Sequence, residues 1–185
     1  MATDRPAVRL DRDGTAIEGG GHLRRPDRLE FRLGALAALR RLQRRSALVL
    51  VTSQGGIAQG LDTASEAEAV NAHAVDVPAR NAITITAVCV RPHPGADGRR
   101  CIKPRPHLLQ PASRRRGLDL SHSSAVGDHP HGAEPAARAG ARSGISVLTE
   151  HGRKHADDAP PDTSGAATSE QAPELTLAAG GGASG

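Results

Sequence analysis

Short apolar runs alternate with helix-like stretches between residues 6 and 148. The run Ala47–Val51 is apolar throughout, as expected of a strand that is covered on both faces of a sheet. Further short runs of β-branched or small apolar residues also predict strands, namely Pro6–Leu10, Ile83–Val90, Ser123–Val126 and Ile145–Leu148.

Three stretches between these runs predict helices. Leu33–Leu42 carries a leucine at positions 33, 36, 39 and 42, which is the spacing of one helical face. Asp62–Val75 is rich in Ala and Glu, and Asp62 or Thr63 can cap its first turn. Leu108–Arg116 is a weaker helix because a proline interrupts it.

The alternation of strands with helices predicts an α/β fold, a Rossmann-like parallel sheet with helices on both faces. A chain of 185 residues suits one domain, which we place at residues 1–150, and the short Gly-rich loop after Thr15 leaves no room for a large cap domain. Residues 151–185 are rich in Ala, Gly, Ser and Pro and bury too little apolar surface to offset their ordering entropy. We therefore predict a largely disordered tail, with only Glu174–Ala179 as a short ordered piece.

Composition limits both the core and the partners. Only 37% of the residues are hydrophobic and Phe31 is the one aromatic residue, so the core must be built from Ala, Val, Leu and Ile. The formal net charge is +4 and the pI is about 10.0, with 24 basic residues against 20 acidic ones. No aromatic stacking platform accompanies the arginines. We interpret them as a solvated surface that attracts a phosphorylated metabolite, and we do not expect nucleic acid as a partner.

No apolar run approaches the roughly 20 residues of a membrane span, and the N-terminus MATDRPAV has no apolar signal segment. The two cysteines, Cys89 and Cys101, provide no disulfide framework. We therefore expect a cytoplasmic, reduced protein that does not enter a membrane and acts as a monomer.

Polar residues of catalytic type follow four of the predicted elements. They are Asp11-Arg12-Asp13-Gly14-Thr15 after the first strand, Thr52-Ser53-Gln54-Gly55-Gly56 after ALVLV, Lys103-Pro104 after ITITAVCV, and Gly127-Asp128 after SSAV. Each group alone has a commoner structural role as a turn, a helix cap or a solvated charge. Because sites in a parallel sheet form outside the carboxyl ends of the strands, we expect these groups to share one pocket.

In this order and at these strand ends, the groups resemble the four motifs of the haloacid dehalogenase phosphohydrolases. The segments LDRDGTAIEGGGHLRRPDRLEF, LGALAALRRL, LVTSQGGIAQG, CIKPRPHLL and AVGDHPHGAEPAARAGA are similar to the branch of D-glycero-D-manno-heptose 1,7-bisphosphate phosphatases and histidinol-phosphatases. The resemblance runs from Ala7 to Thr149. It implies a Mg²⁺-dependent phosphatase acting on a phosphorylated sugar, above all the heptose 1,7-bisphosphate.

The resemblance also implies a role for each motif residue. Asp11 would attack phosphorus and form an aspartyl-phosphate, while Asp13 would protonate the leaving oxygen and later deprotonate the attacking water. Mg²⁺ would be held by the Asp11 carboxylate, the Asp13 backbone carbonyl and Asp128. The substrate and its phosphate would be bound by Thr52, Ser53, Gln54, Gly55, Lys103, His129, Gly21 and His22.

The chain departs from the resemblance in the zinc loop that this branch often carries. His93 and Cys101 match two zinc ligands, but Arg91 and Arg99 stand where the other two cysteines belong. A structural zinc site takes four ligands, so we expect zinc to be absent, although nearby Cys89 leaves a rearranged site open.

Other departures fall around the predicted site. Ile102 replaces an arginine before the motif lysine, and Gly132 replaces an aspartate. Arg9 takes an interior position of the first strand, where an unpaired guanidinium is costly, so either Arg9 has a partner or the strand is displaced. We predict an active enzyme of reduced rate. Two alternatives stay open: a histidinol-phosphate or polynucleotide 3′-phosphatase, and a catalytically degenerate binding or scaffold protein of the same fold.

Overall fold

The structure, a computed structural model, describes residues 5–19, 23–91, 115–128, 143–147 and 163–166. Its strands are β1 (Arg5–Asp11), β2 (Ala47–Ser53), β3 (Ile85–Arg91), β4 (Leu118–Gly127), β5 (Ser143–Val147) and β6 (Thr163–Ala166). Its helices are α1 (Ala35–Leu42), α2 (Gly55–Ala58) and α3 (Ala64–Arg80), with a turn of 3-10 helix at Pro26–Arg28.

The six described strands form one sheet in the order β3-β2-β1-β4-β5-β6, and neighbouring strands are parallel throughout. β1 lies inside the sheet, so the chain winds outward first through β2 and β3 and then through β4, β5 and β6. This is the doubly wound arrangement, in which the strand order reverses beside the first strand. It confirms the predicted Rossmann-like α/β class and puts a topological switch point between β1 and β4.

Strands β1 and β2 are buried on both faces of the sheet, which explains why β2 is so apolar. On one face, alternate residues of β1 and β2 pack against α1 and α3, in a cluster that includes Leu10, Leu50, Leu39, Leu42 and Val70. On the other face lies a second buried cluster that includes Ala7, Ala47, Val49, Val51 and Cys89. A strand covered on both sides has no position for a solvated side chain, and the run 47–51 accordingly has no polar residue.

Helix α1 begins at Ala35, later than the predicted start at Leu33. Gly34 precedes the helix in the left-handed conformation (φ 77°), which leaves Leu33 outside the first turn and 93% exposed. The buried face of α1 consists of Ala35, Ala38, Leu39 and Leu42. The predicted leucine face was therefore wrong at Leu33, because leucine periodicity alone did not locate the glycine at which the chain turns.

Helix α3 begins at Ala64, and Thr63, one of the two predicted caps, is its N-cap. The Thr63 hydroxyl accepts the Glu66 N–H at 3.1 Å, and the Glu66 carboxylate accepts the Thr63 N–H at 2.8 Å, which together make a capping box. The helix continues beyond the predicted end at Val75 to Arg80. In the part of the chain that the structure describes, no helix is both long and apolar enough to cross a membrane.

Strand β4 begins at Leu118, earlier than the predicted Ser123, because a register shift lets it pair with β1 on both sides of an irregularity. Residues Thr163–Ala166 form β6 and pair with β5. These four residues are therefore ordered within a tail that the sequence predicts to be largely disordered. Strand pairing uses backbone N–H and C=O groups, which any residue type except proline supplies in full and which the edge of β5 leaves open. Glu174–Ala179 and most of the predicted helix Leu108–Arg116 lie outside the described residues.

Arg9 occupies the middle of β1 without displacing it. It pairs with Val49 on one side and Ala125 on the other, and it is 7% exposed. Burial lowers the pKa of Arg9 to about 10, while electrostatic interactions with Cys89 and Asp11 act in the opposite direction. Of the two alternatives posed by the sequence, the structure therefore shows an undisplaced strand with a buried cation near Asp11. Such a cation destabilises the fold unless its partners offset the desolvation.

Replacing Arg9 by Met is expected to raise the free energy of unfolding by about 1–3 kcal/mol, because methionine adapts to the cavity and carries no charge. Urea unfolding followed by circular dichroism measures the change. The control is Arg44→Met, since Arg44 is exposed and its replacement should change stability by less than about 0.5 kcal/mol. A loss of stability in Arg9→Met would show that the attraction to Asp11 outweighs the cost of the buried charge.

Candidate active site

The strand register brings three of the four predicted groups, those after β1, β2 and β4, to one edge of the sheet. Asp11, the last residue of β1, pairs with Val51, so Thr52 lies one position further along β2. On the other side of β1, the pairing with β4 places Asp128 just beyond the same edge. Parallel strands present their carboxyl ends together, and these side chains therefore meet at the topological switch point.

Asp128 packs directly against the loop that follows β1. A Cβ atom on Gly14 would lie 2.0 Å from the Asp128 Oδ2 atom, far inside van der Waals contact. Gly14 also has a φ of 76°, a conformation that side-chain-bearing residues rarely adopt. Asp128 is 6% exposed. The glycine is thus required both for the turn and for the space that the Asp128 carboxylate fills.

The Asp13 carboxylate is held from two sides. The Thr52 hydroxyl donates to its Oδ2 atom at 2.9 Å. The Arg12 guanidinium donates from Nε and Nη2 to Oδ1 at 3.1 and 2.9 Å, and Nε also lies 3.2 Å from Oδ2. The Asp13 side chain nevertheless keeps 36% of its surface exposed. It is therefore fixed on the protein side and open to a substrate on the other.

Arg12 is itself buried and links the loop to helix α3. Its Nη1 atom donates to the Asn71 Oδ1 atom at 2.6 Å. Its backbone N–H donates to Val51, and its carbonyl accepts from Ala16 and Ile17. Neither Arg12 nor Asn71 was identified from the sequence. Arg12 could have been found from its place between the two motif aspartates, whereas nothing in the pattern of α3 marks Asn71.

The loop after β2 was predicted to bind phosphate, and the structure shows a different hydrogen-bond partner for its first residue, Thr52. A threonine hydroxyl has one proton, and Thr52 donates it to Asp13, so this hydroxyl orients Asp13; the predicted bond to phosphate stays a prediction. Ser53 is exposed and Gly55 begins α2. Gln54 is buried, and its Oε1 atom has no hydrogen-bond partner in the part of the chain that the structure describes.

Six predicted site residues lie outside the described residues: Lys103, His129, Gly21, His22, His93 and Cys101. Cys89, which a rearranged zinc site would need, lies in β3, where burial raises the pKa of its thiol. Among the described residues, no three side chains of His, Cys, Asp or Glu are grouped so that they could hold a metal ion.

The sheet is doubly wound and parallel, with one aspartate at the end of β1, a second two residues later and a third across the switch point. This combination defines a haloacid dehalogenase-like phosphohydrolase. Solved structures agree with this class. The D,D-heptose 1,7-bisphosphate phosphatase of Bordetella bronchiseptica, complexed with magnesium and phosphate, matches 94% of this chain and 98% of its own, with a TM-score of 0.83 and 29% identity. A HAD-like phosphatase from Mesorhizobium loti matches 96% of this chain and 87% of its own, with a TM-score of 0.79 and 26% identity.

Sequence comparison narrows the class. The D-glycero-β-D-manno-heptose-1,7-bisphosphate 7-phosphatase of B. bronchiseptica is 33% identical over 147 residues, which cover 78% of this chain and 82% of the relative. The protein of the same name from Escherichia coli strain K12 is 32% identical over 161 residues, 83% of each chain. No protein-family model matches the chain. The chain belongs to the D-glycero-β-D-manno-heptose-1,7-bisphosphate 7-phosphatase family, a family of phosphoric monoester hydrolases.

Replacing Gly14 by Ala is expected to displace Asp128 and to lower kcat for p-nitrophenyl phosphate at least about 100-fold, because small displacements of catalytic groups cost about this much. The matched control is Gly60→Ala, since Gly60 has a similar φ of 68° but nothing within 4 Å of the new Cβ. Both variants carry a comparable backbone strain of about 1–2 kcal/mol. Equal activities in Gly14→Ala and Gly60→Ala would contradict a functional role for the Gly14–Asp128 contact.

Proposed function

We propose that the protein is a Mg²⁺-dependent phosphatase that removes the 7-phosphate of D-glycero-D-manno-heptose 1,7-bisphosphate through an aspartyl-phosphate intermediate. The observation that carries the proposal is the strand register, which brings Asp11, Asp13 and Asp128 to the same carboxyl edge of the sheet, with Asp128 packed on Gly14. The names of the relatives supply the substrate.

Asp11 is the nucleophile. One of its carboxylate oxygens attacks phosphorus as the bond from phosphorus to the sugar oxygen breaks, which gives an aspartyl-phosphate and a free sugar hydroxyl. Water then attacks the same phosphorus, the bond to Asp11 breaks, and inorganic phosphate leaves. The position of Asp11 at the end of a strand paired on both sides suits this role, because the backbone that carries it cannot shift between the two steps.

Asp13 is the general acid and base. In the first step it gives a proton to the leaving sugar oxygen, and in the second it takes a proton from the attacking water. Asp13 therefore returns to its starting protonation state after each turnover. Its partly exposed side chain can reach both oxygens, while Arg12 and Thr52 hold it from behind.

The donor set fits Mg²⁺. The Asp13 side chain is engaged by Arg12 and Thr52, which leaves the carboxylates of Asp11 and Asp128 and the Asp13 backbone carbonyl as ligands. One or two carboxylates, completed by water and substrate phosphate, are what Mg²⁺ usually takes, and this arrangement needs no third acidic side chain. When bound, Mg²⁺ supplies positive charge against the transferring phosphoryl group.

The loop after β2 adds candidate substrate-binding groups. Ser53 is exposed, and Gly55 begins α2 directly after it. Gln54 is buried, and its Oε1 atom has no hydrogen-bond partner among the described residues. We assign Ser53, Gln54 and Gly55 to the substrate and its phosphate, together with Lys103 and His129.

The proposal is tested with Asp11→Asn. Purified protein should release one phosphate per heptose bisphosphate in the presence of Mg²⁺ and stop when EDTA is added. Asp11→Asn should lower kcat at least about 1,000-fold, because the amide is a far weaker nucleophile. Asp76→Asn, a change of an acidic residue on α3 away from the site, is the control and should retain the rate. An Asp11→Asn protein as active as the control would end the catalytic proposal.

A substrate panel separates the sugar from the alternatives. Heptose 1,7-bisphosphate, histidinol phosphate and a 3′-phosphorylated oligonucleotide are compared by kcat/KM at equal Mg²⁺. We expect the heptose bisphosphate to be preferred at least about 100-fold, since sites built for substrate hydroxyls reject analogues that lack them. If either competitor has a higher kcat/KM, the protein is still a phosphatase, but the heptose bisphosphate is not its preferred substrate.

A further inference from the structure

We propose that Asn71 and Arg12 are positioning residues for Asp13, and that they control proton transfer to the leaving oxygen rather than the binding of phosphate or metal. The inference rests on the proposed function, because it takes Asp13 as the general acid. It concerns two residues to which the resemblance described above assigns no role.

All three nitrogen atoms of the Arg12 guanidinium donate hydrogen bonds. Its Nε and Nη2 edge meets both oxygens of Asp13, while its Nη1 atom lies 2.6 Å from the Asn71 Oδ1 atom. A guanidinium is planar and rigid, so holding one corner fixes the direction of the opposite edge. Asn71 on α3 therefore sets the angle at which Arg12 meets Asp13.

Arg12 has little freedom to take another position. Its side chain is 4% exposed, and its backbone is bonded to β2 on one side and to the turn at Ala16 and Ile17 on the other. Without the Asn71 oxygen, the buried Nη1 group would lose its acceptor and the guanidinium would turn to find another. Asp13 would turn with it, because Arg12 bonds both of its oxygens.

Asn71 reaches the site from a separate layer of the fold. Helix α3 packs on the sheet through Val70 and Ala74, the neighbours of Asn71 along the helix. The backbone that carries Asn71 is thus held by the core. Asp13 gains a support that does not depend on whether substrate or metal is bound.

This role predicts a specific kinetic signature. A sugar alkoxide is a poor leaving group and needs the proton from Asp13, whereas p-nitrophenolate leaves without one. A misplaced general acid should therefore slow phosphoryl transfer from the sugar phosphate and leave the transfer from p-nitrophenyl phosphate almost unchanged. A general loss of structure would slow both transfers alike.

The experiment uses single-turnover kinetics of the full-length protein with Mg²⁺, because hydrolysis of the aspartyl-phosphate, which also uses Asp13, would mask the first step in steady state. Asn71→Ala should slow the first step with heptose bisphosphate by about 10- to 100-fold and the burst of p-nitrophenol by less than about 3-fold. The substrate concentration that gives half of the maximal single-turnover rate should change by less than about 2-fold for both substrates. Asn71→Asp, which keeps the acceptor oxygen, should restore the sugar reaction.

Two further variants serve as a control and as a second test of the inference. Glu68→Ala, an exposed change on the same helix, should leave both reactions unchanged. Arg12→Lys, which keeps the charge but loses the fork, should show the same split between substrates and serves as the test if Asn71→Ala does not fold. Equal slowing of both substrates, or wild-type rates in Asn71→Ala, would overturn the inference. Failure of the wild-type protein to hydrolyse either phosphate would instead overturn the proposed function.

Discussion

The site depends on the parallel pairing of β1 with β2 on one side and with β4 on the other. Asp11, Thr52 and Asp128 are far apart along the chain, and only the register of three strands sets their relative positions. A slip of one residue would exchange the two faces of a strand and turn Asp11 away from its neighbours. Two buried clusters, one on each face, oppose such a slip, because it would carry apolar side chains across the sheet together with Asp11.

Two buried arginines show how much the environment of a charge decides its effect. Arg9 and Arg12 flank Asp11 in sequence, and both are almost completely buried. Arg12 directs its donors at Asp13 and Asn71, so its charge is matched by hydrogen bonds of good length. For Arg9, burial is the largest influence on the pKa and lowers it, with Cys89 and Asp11 acting against burial. The arginine side chain holds a catalytic group in one position and is a buried charge with a desolvation cost in the other.

Much of this architecture could be predicted from the sequence, for identifiable reasons. The run 47–51 identified a strand buried on both faces, and Thr63 identified the start of α3, because each rests on local physical rules. The order of the motif residues identified the edge of the sheet at which they meet. The predicted start of α1 at Leu33 was wrong because the leucine spacing fits a helix from Leu33, whereas the left-handed Gly34 delays the start to Ala35. Asn71 was missed because its contact with Arg12 joins residues of two different elements, and no sequence periodicity encodes it.

The pairing of β6 with β5 affects which strand edges are open to self-association of the protein. An open strand edge is a template on which another chain can form hydrogen bonds, and it favours association of one molecule with the next. The segment Thr163–Ala166 occupies that edge of β5 with a short, polar, glycine-containing sequence. Among the described strands β6 is the last of the sheet, and its sequence is not a long apolar template. A compositionally simple segment therefore covers an edge of β5 that would otherwise be open to pairing with another chain.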